Sequence, residues 1–260
     1  MGKLGLQMFS VWREAEKDFL QTLSKVAVLG YEGVQFAGFY NTPVQDLKRA
    51  MDHNGLKSAG AHVNIKQLIN GEFEKTAEYH EFIGNKLIIC PGLPEEMRKN
   101  ADDYKKAAEL FNQIGEKCKN LGFTFGYHNH EFEFDVFDGK TGFDLLFENV
   151  DPSLVKIELD GFWAAFSGYD PVKILSDYQN QCVTLHLKDM KIADGKKVST
   201  EIGNGELDIL EFLQTGTKFG VEWFIVEQEE FEIDPFEALR INSERVNEMI
   251  DLISKNKSYQ

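Results

Sequence analysis

Apolar and polar positions along the chain follow two alternating rhythms. Short runs rich in β-branched, leucine and phenylalanine residues recur at Lys3–Phe9, Gly33–Ala37, Leu56–Val63, Lys86–Cys90, Phe123–Tyr127, Val155–Asp160, Val183–Leu187 and Trp223–Glu227, and such runs predict eight strands. Between them lie longer stretches with apolar residues at helical spacing, such as "EAEKDFLQTLSKVAVLG", "PVQDLKRAMDHNG", "DDYKKAAELFNQIGEKCKNLG" and "PFEALRINSERVNEMIDLISKN". Several of these close on the Gly that helices favour just past their last turn. No Pro/Ser-rich linker, low-complexity tract or shift in composition interrupts the strand-then-helix repeat. The expected fold is therefore α/β, a single (β/α)8 TIM barrel over residues 1–260. A doubly wound open sheet is the alternative, but no Gly-rich phosphate loop follows the first strand.

Composition narrows the partners. With 43 acidic against 28 basic side chains the net charge is −15, so the surface repels a phosphate backbone. Nucleic acid and anionic membranes are disfavoured, while a cation is easily accommodated. The three cysteines, Cys90, Cys118 and Cys182, fit no paired ligand spacing and suggest buried thiols in a reducing cytoplasm. No run approaches the roughly 20 apolar residues of a membrane span, and the N-terminus has no signal-peptide pattern. A homo-oligomer is compatible with all of this.

A barrel reading says where chemistry belongs, because barrel active sites gather at the carboxyl ends of the strands. Those ends carry Gln7, Gln35, His62 with Asn64, Cys90, His128 with His130 and Glu131, Asp160, His186 with Lys188 and Asp189, and Glu227 with Glu229. Singly, each has an ordinary reading: Asp160 as a solvated loop carboxylate, His186 as a hydrogen-bonded core residue, Glu227 as part of a charged loop, Lys188 as an exposed loop lysine. Their convergence changes the picture. Strands five to eight of a closed barrel face one mouth, where His, Asp, His and Glu supply nitrogen and oxygen ligands suited to Zn²⁺, Mn²⁺, Fe²⁺, Co²⁺ or Mg²⁺. In "KIELD" the alternation puts Glu158 and Asp160 on one face. In "YHNHEFEF" it puts His128 and His130 on another, with the phenylalanines packing the loop or walling a pocket.

The segments "GYHNHEFEF", "KIELDGFW", "LHLKD" and "EIGNGELD" resemble those of the sugar phosphate isomerase/epimerase family, the xylose-isomerase-like TIM barrels, and the resemblance runs from "LGLQMFS" to the last helix. It implies one divalent metal ion held by His128, Asp160, His186 and Glu227. The fifth-strand position usually carries Glu in that family, so either the His128 imidazole ligates or Glu131 reaches in from the loop. The change also weakens the two-glutamate relay of reversible epimerases, and Gln35 stands where relatives often carry Glu. The "HNH" form resembles instead the branch with inosose dehydratases and keto-sugar lyases.

The resemblance further implies a keto sugar or cyclitol substrate whose proton α to a carbonyl is removed by His130 or Glu227, with Glu131 or a metal-bound water moving it elsewhere. His62, Asn64, Trp163 and Lys188 would contact substrate. "EIGNGELD", Glu201 to Asp208, reads as a turn into a helix capped near Glu206 and as a lid over the mouth. The rivals are a non-catalytic sugar-binding barrel and, more remotely, an endonuclease IV-like nucleic-acid hydrolase, against which the net charge weighs.

Overall fold

The structure, a computed structural model, describes residues 2–257. Its strands are β1 (Lys3–Gln7), β2 (Gly33–Phe36), β3 (Lys57–His62), β4 (Leu87–Cys90), β5 (Thr124–His128), β6 (Val155–Asp160), β7 (Cys182–Leu187) and β8 (Trp223–Val226). Each of the eight runs legible in the sequence overlaps one of them, β5 reaching one residue further to His128 and β7 starting one residue earlier at Cys182. Successive strands pair in parallel and β8 returns to β1, which closes the barrel. Long apolar strands of this kind are buried on both faces, as closure under a ring of helices requires: every residue of β2 and β8 is buried.

The register of β5, β6 and β7 builds the mouth. His128 lies opposite Glu158 across the β5/β6 pair, and across β6/β7 Glu158 meets Thr184 while Asp160 meets His186. Because side chains on one face of a strand recur every second residue, Glu158 sits one pleat below Asp160. Polar groups therefore enter the barrel in two tiers.

The helices hold two departures from the pattern. The first helical stretch is two helices, Trp12–Lys17 and Phe19–Val28, because the Asp18 carboxylate accepts the Gln21 N–H at 2.9 Å and starts a new helix. The helix after "EIGNGELD" spans Ile209–Phe219 and is capped by Asp208, which accepts the Glu211 N–H at 2.8 Å, and not at Glu206. Only side chains with a short reach to the N2 or N3 amide cap well, and Asp has it.

Two hairpins lie outside the eight strands. One pairs Val136–Phe137 with Lys140–Thr141 and the other pairs Asp189–Ala193 with Lys196–Thr200. Both turn on an Asp-Gly pair, Asp138-Gly139 and Asp194-Gly195, with φ positive at all four residues, as two-residue hairpin turns demand. All three cysteines are free and buried, and burial raises each thiol to about 12. Among the described residues no helix is long and apolar enough to cross a membrane.

Candidate active site

Four strand ends bring four ligand-type side chains together. His128 closes β5, Asp160 closes β6, His186 is the penultimate residue of β7 and Glu227 follows β8. All four are buried, and one ligand atom from each lies within 4.8 Å of the others. His186 Nδ1 is 3.1 Å from Glu227 Oε2, and it and His128 Nε2 are each 3.9 Å from Asp160 Oδ2. Asp160 is held on three sides: Asn129 clasps its backbone N–H and C=O at 3.0 and 3.2 Å, and its Oδ1 accepts the Trp163 N–H at 3.1 Å. Its Oδ2 is buried and accepts no hydrogen bond.

Lys188 reaches the same oxygens from the loop after β7. Its ammonium is 3.0 Å from Glu227 Oε2, 3.4 Å from Asp160 Oδ2 and 2.7 Å from Glu229 Oε1. The side chain is fully buried, and its charge also lies 5.1 and 5.2 Å from the ring centres of Phe162 and Trp163. The ordinary reading of Lys188 as an exposed loop lysine does not hold.

Below this tier lies Glu158, wholly buried. Its Oε1 is 2.7 Å from His62 Nε2, 3.2 Å from His128 Nδ1 and 3.1 Å from His186 Nε2. Its Oε2 accepts the Thr184 hydroxyl at 2.7 Å and a hydrogen bond from the Gln35 amide. Gln35 in turn accepts from Gln7 at 2.6 Å, and its carbonyl oxygen is 2.8 Å from His186 Nε2.

Charge follows from this packing. Burial alone would push the Glu158 carboxyl up, but His186, His128 and His62 hold it well below its usual range. Glu227 is held down in the same way against burial, by Lys188 and His186. For His186 the order reverses: burial disfavours the imidazolium, yet Glu158 and Glu227 together raise it to about 10. His128 faces fewer anions, and burial with the neighbouring His186 lowers it to about 4. Burial and His128 lower His130 to about 3.

The remaining expectations divide. His130 stands in the loop beyond β5 instead of on the strand, but its ring is 4.9 Å from that of His128, stacks on Phe132 at 5.4 Å and faces Trp163 at 5.8 Å. Its Nδ1 is buried without a partner. Phe132 thus walls the mouth, whereas Phe134 packs against Phe143 and Tyr169. His62 belongs to the lower tier. Glu131 does not reach the cluster: it is exposed at the start of the 3₁₀ turn Glu131–Phe134, and Glu133 is the residue that folds back, taking the His130 N–H at 2.7 Å and the Tyr127 hydroxyl. Asn64 is also outside, exposed and occupied in capping the helix Ile65–Ile69 through the Lys66 N–H at 2.9 Å.

Sequence reasoning left Thr184 and Glu133 out of the site and gave Gln7 and Glu158, though it named both, no role there. For Glu158 the signal was present, since it shares the face of Asp160.

The sequence model of the xylose isomerase-like TIM barrel family matches residues 23–253. The chain belongs to that family. An inosose dehydratase of Clostridium tetani is 26% identical to this xylose isomerase-like barrel over 266 residues, covering 86% of this chain and 85% of that protein. An inosose dehydratase of Geobacillus thermodenitrificans is 25% identical, covering 83% of each. A crystal structure of a sugar phosphate isomerase/epimerase from Parabacteroides distasonis superposes with a TM-score of 0.77 at 27% identity, over 95% of this chain and 94% of that one.

The buried cluster of this barrel suits a divalent cation. Two imidazoles and two carboxylates form a borderline donor set, and ligands about 2.1 Å from an ion stand no more than about 4.2 Å apart, comparable to the spacing seen. Asp160 Oδ2 is a buried acceptor that takes no hydrogen bond and is met most closely by the Lys188 ammonium at 3.4 Å, so it has lone-pair capacity left for an ion.

Proposed function

We propose that the chain is a divalent-metal-dependent enzyme that isomerises, epimerises or dehydrates a keto sugar or cyclitol by removing a proton from the carbon beside a carbonyl. The observation that carries this reading is the convergence of His128, Asp160, His186 and Glu227 on one buried point, where Asp160 Oδ2 takes no hydrogen bond. The inosose dehydratase and isomerase/epimerase relatives support an enzyme acting on sugars.

His128, Asp160, His186 and Glu227 would hold the ion, which when bound supplies a Lewis acid that polarises the carbonyl and acidifies the adjacent C–H. His130 is the proposed base. It is kept neutral by burial and by His128, so it is in the form that can accept a proton, and its Nδ1 has no competing partner in the protein. Glu227 is the second candidate for that role, with its carboxylate kept ionised. Lys188 is held as an ammonium by Asp160, Glu227 and Glu229 against the cost of burial. It can therefore donate a hydrogen bond to a substrate oxygen as negative charge gathers there. Trp163 and Phe132 flank His130 and would lie against the sugar while keeping water from the base. We place the protein in the cytoplasm as one barrel domain acting on a free sugar, since a net charge of −15 disfavours a phosphate.

Isomerisation, epimerisation and elimination of this kind all exchange the α-hydrogen with solvent. Metal-loaded protein incubated in D₂O with a panel of keto sugars and inososes is expected to place deuterium in at least one of them. His130→Ala should slow the exchange roughly 10²-fold or more, and Asp160→Asn should lose the ion by elemental analysis. A sugar that binds and raises the melting temperature, yet shows no exchange with any divalent metal, would replace this reading with that of a sugar-binding barrel.

A further inference from the structure

We infer that Glu158 is the positioning residue of the metal centre, the one carboxylate that dictates which ring nitrogen His128 and His186 each offer to the ion. The inference rests on the metal reading above. The two imidazoles enter the site in opposite senses. His128 turns Nε2 toward Asp160 Oδ2 and Nδ1 toward Glu158 Oε1, at 3.9 and 3.2 Å. His186 turns Nδ1 toward Glu227 Oε2 and Nε2 toward Glu158 Oε1, both at 3.1 Å. An imidazole that ligates through one nitrogen carries its proton on the other, and a carboxylate accepting that proton fixes both tautomer and ring angle. Here one oxygen faces the outer nitrogen of two ligands of opposite tautomer, alone at His128 Nδ1 and together with the Gln35 carbonyl oxygen, 2.8 Å away, at His186 Nε2; Gln35 in turn donates to Glu158.

Glu158 is itself held rigidly. Thr184 and Gln35 donate to Oε2, and His62 meets Oε1 at 2.7 Å. The Gln7 amide nitrogen lies over the His62 ring, 3.3 Å from Nδ1 and 3.4 Å from Nε2, and braces it against Glu158.

The lower tier, His62, His128, Glu158 and His186, also brings ligand atoms within 4.8 Å, which raises the alternative of a second ion. Two observations favour the positioning role. The Glu158 oxygen stands 2.7 to 3.2 Å from the three imidazole nitrogens, hydrogen-bond distances at which the imidazole N–H groups serve as its donors. Both Glu158 oxygens accept hydrogen bonds, while the buried carboxylate oxygen that takes none belongs to Asp160 in the upper tier.

Zinc titration of chelator-stripped protein tests this. Wild type should bind one Zn²⁺ per chain. Glu158→Gln, which keeps the shape but turns one acceptor into a donor, should bind it roughly 10- to 100-fold more weakly with its far-UV spectrum unchanged. Long-range ¹H–¹⁵N spectra of the zinc form should show N–H at His128 Nδ1 and His186 Nε2 in wild type and mixed tautomers in Glu158→Gln, most of all at His128, whose Nδ1 has no other acceptor among the described contacts, a signature that looser packing alone would not produce. Thr184→Val removes one donor to Glu158 without touching an imidazole and should lose affinity by a smaller factor; it carries the test if Glu158→Gln does not fold. Wild-type affinity and tautomers in the folded variant would overturn the inference alone. Two ions in wild type falling to one in Glu158→Gln would overturn it in favour of a second metal site. A wild type that takes up no zinc or other divalent ion would bring down the metal reading and this inference together.

Discussion

His80 shows what burial does to an imidazole away from the active site. It lies on the helix Phe73–Phe82, is 1% exposed, and its Nδ1 accepts a hydrogen bond from Asn85 at 3.0 Å. Burial lowers it to about 4, against about 6.5 in an unfolded chain. Between those values the unfolded state binds the additional proton, so stability is complete above pH 6.5 and falls as the pH drops toward 4, by at most about 3 kcal/mol. His80→Gln retains an acceptor for Asn85 and cannot be protonated. Its melting temperature is expected to fall less than that of wild type between pH 6.5 and 4.5, and parallel curves for the two proteins would refute the assignment. The same scale explains which site residues were legible in the sequence. His128, Asp160, His186 and Glu227 sit at or beside strand ends, where the alternation of side chains settles their direction. Glu131 and Asn64 sit in turns, where direction is set by which side chain satisfies the local amides, and in the first of these Glu133 does so. The role of Glu158 depends on what lies across the sheet, and pairing register is not written within one strand.

At the scale of the element, the segment from Glu201 to Asp208 is a pinned loop. The Asp189 carboxylate accepts the N–H groups of Met190, Gly203, Gly205 and Leu207 at 2.8 to 3.1 Å, and Arg245 and Asn242 hold Ile202 from the last helix. A Cβ at Gly205 would lie 2.2 Å from Asp189 Oδ1, so that position admits no side chain. The segment expected from the sequence to be a lid is thus anchored at both ends, and the glycine at 205 serves close approach. Asp189→Ala should leave these amides without their acceptor and cost about 3 kcal/mol, with hydrogen exchange at Gly203, Gly205 and Leu207 accelerated well beyond the barrel strands. Exchange unchanged at those three amides would mean that the loop is held by other contacts. The two hairpins teach a related point. Their strands are short or polar and follow no strong apolar alternation, yet their Asp-Gly turns are a sequence signal that hydrophobic patterning passes over.

For the whole molecule, the eight-strand closure was legible because buried parallel strands are apolar throughout and helices separate them evenly. The charge distribution was not, because a net charge counts residues without saying where opposite charges meet. Lys188 is the case in point. A cage of ionised carboxylates at the centre of a barrel would oppose its own folding through mutual repulsion, but here an ammonium from the chain lies among Asp160, Glu227 and Glu229. Chelator-stripped protein is accordingly expected to melt in one cooperative transition, and a divalent ion at 100 times its dissociation constant should add about 2.7 kcal/mol, a rise of roughly 5–10 °C for a chain of this size. A stripped protein that melts gradually, without near-ultraviolet signal, would refute this. The lysine is then a placeholder written into the sequence. On the metal reading proposed above, it would let a newly made chain finish its architecture before an ion is captured, so that maturation becomes an exchange of one cation for another inside a completed molecule.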